Sequence, residues 1–313
     1  MSRPPSLHPS PPPLALDALP TRQGFARCED GVQAYWRIVG PNDTDKAPLV
    51  CCNGIGVGVS FWDYVLHRFA PERPVLVWDY RGHGRSTPHR RGMTVTIPQL
   101  ARDLGQVCDD AGLERAVFLG HSMGSQVVLE RNRQAPDQVA GLVSVLGTFG
   151  HPLDTFGDLS ISRQVFDLLI QAAKSWPRAF DWSSSALVAS PIAFDAGRLL
   201  KLVDGKRIRR QDLRQYLHHL ASGISFAFFF EMAEQMGEHT ARDILPLITA
   251  PALVIAGEFD AFTPPHLAKE LADGLADAEL VMLDGASHAG LIEQPGVMND
   301  AIARFLTTRV DPR

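Results

Sequence analysis

The stretch Val117-Phe-Leu-Gly-His-Ser-Met-Gly124 decides the reading of this chain. An apolar run leads straight into Gly120-x-Ser122-x-Gly124. That pattern marks a strand-to-helix turn that holds a serine in a strained backbone conformation and pushes its hydroxyl outward. Side chains at the two glycine positions would collide with the adjoining strand and helix. A free serine hydroxyl is a poor nucleophile, so a serine displayed this way needs a base and a group that orients the base. The rest of the chain is therefore expected to hold an Asp or Glu and then a His, each at the end of a strand.

Both follow, in that order. Pro251-Ala-Leu-Val-Ile-Ala-Gly257 is a short apolar run closed by glycine, which reads as a buried strand. The loop beyond it, Glu258-Phe-Asp260-Ala-Phe-Thr-Pro264, carries two carboxylates. A helical stretch from His266 to Leu275 and a strand from Glu279 to Asp284 then lead to Gly285-Ala-Ser-His288.

Upstream, Gly24 to Val39 reads as two short strands around the turn Glu29-Asp-Gly31. Leu49 to Cys52 is a strand ending at Asn53-Gly54, Ser60 to Ala70 a helix, and Pro74 to Trp78 a strand. Thr96 to Ala111 has helical periodicity with Gly112 at its end. Arg115 to Leu119 feeds the serine turn, Met123 to Gln134 continues as helix, and Val139 to Leu146 is a further strand. Strands alternating with helices predict an α/β fold, a mostly parallel sheet with helices on both faces. From Phe149 to Pro246 the alternation stops. Helical stretches are expected near Ser162 to Ser175, Asp195 to Val203, Gln211 to Ser222 and Phe226 to Met236.

In Asn53-Gly-Ile-Gly56, Asp79-Tyr-Arg-Gly-His-Gly-Arg-Ser86, Gly120-His-Ser-Met-Gly124, and Gly257-Glu-Phe-Asp260 with His288, the chain resembles α/β-hydrolase-fold serine hydrolases of the capped esterase, lipase and haloperoxidase-like group. The order Ser, acid, His is the one that fold uses. The resemblance implies three parts. Residues 24–148 and 247–313 would form the hydrolase core, 149–246 an all-helical cap, and 1–23 a Pro-rich tail. It also implies cleavage of a small ester or lactone through an acyl-serine, with no metal or organic cofactor.

In this reading Ser122 is the nucleophile, His288 the base and Asp260 the acid that orients it. Glu258 and Asp284 compete with Asp260; the first reads as a loop cap, the second as a turn residue before Gly285. His121, His83, His151 and His266 compete with His288. His121 should point away from the hydroxyl, and His83 lies in a loop that the family carries without catalytic use. His151 and His266 come too early in the chain order. Met123, directly after the nucleophile, supplies one backbone N–H to an oxyanion. The resemblance assigns the second to Ile55. Many members have His-Gly where this chain has Asn53-Gly54, which leaves the Asn53 side chain open. Trp182, Phe226 and Phe229 are candidates for an acyl pocket, with the competing reading that they form the cap's own core.

Related chemistries bound the reading. Epoxide hydrolases and haloalkane dehalogenases need an Asp where Ser122 stands. Carbon–carbon hydrolases, cofactor-free haloperoxidases, perhydrolases and acyltransferases share the triad. A ligand receptor on this scaffold is the non-enzymatic alternative.

Bulk properties agree with a small-molecule enzyme. The 313 residues are 45 % hydrophobic, with a formal net charge of −5, so no basic field points to nucleic acid. No run reaches the length of a membrane span. The four cysteines, Cys28, Cys51, Cys52 and Cys108, fit no zinc spacing; adjacent Cys51 and Cys52 read as small buried hydrophobes in a strand, and a reduced, cytoplasmic setting is expected. The stretch Met1 to Pro20 holds seven prolines and lacks the apolar centre of a signal peptide.

Overall fold

The computed structural model describes residues 16–90, 93, 95–150, 160–188, 190, 208–209, 211–214, 217–218 and 224–311, with residues 160–166 described as backbone only. Eight strands form one sheet: β1 (Thr21–Arg27), β2 (Gln33–Val39), β3 (Leu49–Cys52), β4 (Val75–Trp78), β5 (Ala116–His121), β6 (Val139–Val145), β7 (Ala252–Gly257) and β8 (Ala278–Leu283). Their order is β1-β2-β4-β3-β5-β6-β7-β8. β1 and β2 form an antiparallel hairpin, and β2 also pairs antiparallel with β4. Every other pairing is parallel.

The strand residues explain this layering. β3, β4, β5, β6 and β7 are buried along their whole length. Such strands read as continuous apolar runs because a parallel sheet is covered on both faces. Alternate side chains enter opposite layers. Val50, Cys52 and Phe118 join one core, while Leu49, Cys51, Val117 and Leu119 join the other. Helices α2 (Ile97–Ala111), α3 (Met123–Gln134) and α7 (Pro265–Gly274) cover the first face through Leu104, Val127 and Leu271. Helices α1 (Asp63–Phe69) and α8 (Pro295–Phe305) cover the second through Leu66, Met298 and Ile302. Each such aliphatic side chain stabilises the fold by roughly 1.5–3 kcal/mol relative to exposure. β8, one of the two edge strands, stays half exposed, in keeping with its Glu279. All four cysteines are free and buried.

Among the described residues, the helices between β6 and β7 include α4 (Ser160–Ser175), α5 (Pro177–Val188) and α6 (Phe226–Glu238). Asp181 on α5 accepts from the Ser225 hydroxyl at 2.8 Å and the Ala227 N–H at 2.8 Å, which fixes α5 at the N-terminus of α6. Lys174 on α4 pairs with Glu234 on α6 at 2.7 Å. Gln126 on α3 donates to the carbonyls of Met236 and His239, tying the end of α6 to the sheet layer. Among the described residues the only β-pairing in this stretch is the single bridge Gly150–Thr240.

Most element boundaries agree with the sequence reading to within a residue or two. The differences have physical causes. β1 starts at Thr21 rather than Gly24, because its partner strand runs on to Val39 and the ladder continues opposite it. Leu16 and Leu19 pack against the core, so the chain is folded before the hairpin begins. The helix expected from Ser60 opens as a 3-10 turn, Val59–Trp62, and becomes α-helical at Asp63. α5 was not expected, because Ser183, Ser184 and Ser185 weaken its helical pattern. The expected helix Asp195 to Val203 lies outside the described residues. Of Gln211 to Ser222, residues 211–214 and 217–218 are described, and they are helical. No described helix is long and apolar enough to cross a membrane.

Candidate active site

The proposed triad and the Asn53-Gly54 turn lie past the C-terminal ends of parallel strands. Asn53-Gly54 follows β3, Ser122 follows β5, Asp260 follows β7 and His288 follows β8. The chain winds in opposite directions on the two sides of β3 and β5, and open parallel sheets bind ligands at such a reversal.

Ser122 has φ 54 and ψ −120 and stands immediately before α3. A serine at positive φ is strained, and the surrounding packing holds it there. A Cβ on Gly120 would lie 2.4 Å from the Gly124 carbonyl oxygen. One on Gly124 would lie 2.3 Å from that of Cys52. The turn therefore closes only with glycine at both positions.

The three candidate side chains meet. His288 Nε2 is 2.9 Å from Ser122 Oγ. His288 Nδ1 is 2.9 Å from Asp260 Oδ2 and 3.1 Å from Oδ1. An ionised carboxylate only accepts, so Nδ1 carries the ring hydrogen and Nε2 is left to accept from the serine hydroxyl. Asp260 also accepts from the N–H groups of Phe262 and Thr263, each at 2.9 Å, and lies 2.7 Å from Thr263 Oγ1. Burial by itself would raise the Asp260 carboxyl. The charge His288 can carry, its hydrogen bond and those of Thr263 outweigh burial and hold the carboxyl below its usual range.

The competitors lie elsewhere. Glu258 Oε2 accepts from the Gly285 N–H at 2.7 Å on the surface. The Asp284 carbonyl accepts from Gln294. His266 is an exposed residue of α7, and His151 lies outside the described residues.

His121 is not turned away from the site altogether. Its ring centroid is 5.2 Å from that of His288, and its Nε2 donates to the His288 carbonyl at 3.3 Å. Burial first, and then the neighbouring His288, push it down to about 3. The sign follows from linkage. The folded state holds His121 neutral, while the unfolded chain protonates it near pH 6.5, so stability falls as pH drops from about 6.5 towards 3. His121→Gln keeps a donor but cannot titrate. In urea melts between pH 6 and 4, the wild type should lose up to about 1.4 kcal/mol per pH unit more than this variant. Parallel slopes would refute the assignment.

The two candidate backbone donors, Met123 and Ile55, differ in setting. Met123 opens α3, so its N–H is among those a helix start cannot satisfy internally. Ile55 sits in the turn Gly54–Val57, and no hydrogen bond among the described residues engages its N–H. A Cβ on Gly54 would lie 3.1 Å from Ser122 Cβ, so this turn rests directly on the serine. The Asn53 side chain takes a structural part: it donates to the Trp78 carbonyl at 3.0 Å and accepts from Trp62 Nε1 at 2.7 Å.

The aromatic candidates fare unevenly. Trp182 is 78 % exposed and is not brought to the site. Phe226 is buried and its ring lies 6.3 Å from that of Phe229, which in turn meets Phe230. The ring beside His288 is instead Phe262, at 5.0 Å. Sequence reasoning also missed Thr263 and Leu146. Thr263 Oγ1 bridges Asp260 and the Leu146 carbonyl, and Leu146 itself has φ 50. The Thr-Pro pair closing the acid loop is the one local signal that could have singled out Thr263.

Comparison with known proteins bears on the fold and the family. A family model described as the alpha/beta hydrolase family matches residues 49–301. The "Putative carbamate hydrolase RutD" of Variovorax paradoxus is 29% identical over 280 residues, covering 87% of this chain and 95% of the relative. Its namesake from Azorhizobium caulinodans is 26% identical over 271 residues, covering 87% and 94%. The crystal structure of a hydrolase from Pseudomonas aeruginosa PA01 is 25% identical with a TM-score of 0.72, covering 91% of this chain and 98% of that one.

Proposed function

The chain belongs to the alpha/beta hydrolase family, and on that premise we propose that it is a serine hydrolase that cleaves a small, apolar carboxylic ester or lactone through an acyl-serine intermediate. The observation that carries the proposal is the unbroken line from Asp260 through His288 to Ser122, with 2.9 Å at each link. Ser122 Oγ attacks the substrate carbonyl carbon as its proton passes to His288 Nε2. The N–H groups of Met123 and Ile55 hold the oxyanion. His288 then protonates the leaving alcohol as the carbon–oxygen bond breaks, leaving the acyl-serine. Water then attacks the acyl carbon as its proton passes to His288, which returns that proton to Ser122 Oγ as the acyl–oxygen bond breaks and the acid is released. Asp260 keeps Nδ1 protonated and balances the imidazolium throughout.

The helices between β6 and β7 are read as a cap over this site, with Phe226 and Phe229 as candidate acyl contacts. A small-molecule substrate needs no further partner, and four buried free thiols suit a cytoplasmic setting.

Turnover of a p-nitrophenyl ester series from acetate to decanoate, alongside lactones, tests the proposal. Hydrolysis well above buffer, peaking at one acyl length, is expected; no turnover across both sets would sink it. Carbamate hydrolysis is the second reading, favoured by the naming of the two relatives. It would use the same groups through a carbamoyl-serine, and a carbamate arm in the panel separates the two.

A further inference from the structure

One buried imidazole lies outside the steps above. His83 is 1% exposed and follows β4 in the loop Asp79 to Ser86. Its Nδ1 is 3.2 Å from the Arg81 carbonyl, and its Nε2 is 3.2 Å from the Gly56 nitrogen. A carbonyl only accepts and an amide N–H only donates. The ring is therefore defined at both ends, with Nδ1–H donating to Arg81 and a bare Nε2 accepting from Gly56.

Gly56 sits in the turn that rests on Ser122. Its φ is 68, and Ile55 before it is not among the residues with positive φ. The Val57 N–H closes on the Gly54 carbonyl at 3.4 Å. These features describe a type II turn, with glycine where positive φ is required. Types I and II differ by a flip of the peptide between the two central residues, here Ile55 and Gly56. The N–H of that same peptide is the group His83 holds. At 3.4 Å the closing bond is long, so the turn does little to fix its own central peptide.

His83 is itself held firmly. Its N–H donates to the Tyr80 carbonyl, and its carbonyl accepts from Ser86. Phe228 of α6, fully buried, sets its ring 5.9 Å from that of His83. A Cβ on Gly82 would lie 2.1 Å from the Phe228 ring, so α6 bears directly on this loop.

We propose that His83 is a positioning residue for the oxyanion turn: its Nε2 pins the Ile55–Gly56 peptide, the unit next to the one that carries the Ile55 N–H, and so anchors the whole turn from Gly54 to Val57 in the place from which Ile55 offers its N–H beside Ser122. This rests on Ile55 being an oxyanion donor in the hydrolase reading. Preorganised donors matter most in the transition state, so loss of the pin should act on kcat and leave KM nearly untouched.

Two amides of similar polarity separate this role from simple packing. In His83→Gln the side-chain oxygen reaches the place of Nε2 and can accept from Gly56. In His83→Asn the amide reaches only as far as Nδ1. The Asn variant is expected to lose about 10- to 100-fold in kcat with KM within about twofold, in line with the cost of a misplaced donor. The Gln variant should recover most of that loss at a similar melting temperature. A second readout needs no substitution: in 15N-labelled wild-type protein, His83 should show a protonated Nδ1 and a bare Nε2.

Equal kcat in His83→Asn and wild type, equal losses in both variants, or the opposite tautomer would each overturn the inference while leaving an active wild type intact. Should the wild type turn over nothing in the panel and leave Ser122 unlabelled by a fluorophosphonate, the hydrolase reading itself falls, and this inference with it.

Discussion

Replacing Ser122 with alanine should reduce kcat on the panel's best substrate by on the order of 10³-fold or more. The loss is large because the variant has no atom to form the acyl bond. What remains is whatever the two backbone donors and substrate binding supply to attack by water. His288→Ala should cost a similar amount, since a serine without its base is nearly as inert. The two act as a unit, so the double variant should be no slower than either single one. Multiplying losses would mean that the residues work independently, against the 2.9 Å link between them. Fluorophosphonate labelling gives an independent check: wild type labelled, Ser122→Ala not. The φ of 54 is set by the glycines around position 122 and not by the hydroxyl, so the alanine variant should melt close to wild type. Residual activity within tenfold of wild type, in a folded variant, would remove Ser122 from the proposal.

The legible parts of this fold were those in which a residue's role follows from its neighbours in the chain. β3 to β7 lie buried on both faces, so their sequences are short apolar runs with glycine or turn residues after them. Functional groups in such a sheet collect past the strand ends, so Ser122, Asp260 and His288 could be found by position as well as by type. Thr96 and Gly112 mark α2 because capping is local: the threonine hydroxyl accepts from the Gln99 N–H, and the glycine turns out of the helix at φ 73.

Features that depend on distant partners were not legible. Nothing near Thr263 announces the Leu146 carbonyl, which comes from another strand end. The Asn53 side chain is assigned only when Trp62 and Trp78 are seen on either side of it. The same holds for the aromatic run in α6. Phe226, Phe228 and Phe229 look alike in sequence, yet Phe228 is the one that bears on the His83 loop, because the seating of the helix decides which ring faces the sheet. In sequence, His83 reads only as part of a loop that the family carries without catalytic use. Its contact with Gly56 joins two loops that belong to neighbouring strands β3 and β4 and are well separated along the chain.

Asp260→Asn should lower kcat by about 10³- to 10⁴-fold, while Glu258→Gln changes it by less than about twofold. The first effect follows from where the amide would settle. Oδ1 of Asp260 accepts from two backbone N–H groups, Phe262 and Thr263, so an asparagine will keep its carbonyl oxygen there. Its NH₂ group must then take the place of Oδ2, between His288 Nδ1 and Thr263 Oγ1. Thr263 can accommodate this, because its single hydrogen is free to turn to the Leu146 carbonyl at 2.9 Å while its oxygen accepts from the new amide. His288 cannot. Facing a donor, Nδ1 must give up its hydrogen, and the proton moves to Nε2, the atom meant to take one from Ser122. The ring would then be a neutral imidazole of the wrong tautomer, and the charge that balances its protonated form would be gone as well. Glu258 has no such connection, since its carboxylate caps the Gly285 N–H at the surface. Steady-state rates with melting curves for both variants separate the two acids. A folded Asp260→Asn enzyme at wild-type rate, with an inactive Glu258→Gln, would move the orienting carboxylate from Asp260 to Glu258, against the geometry.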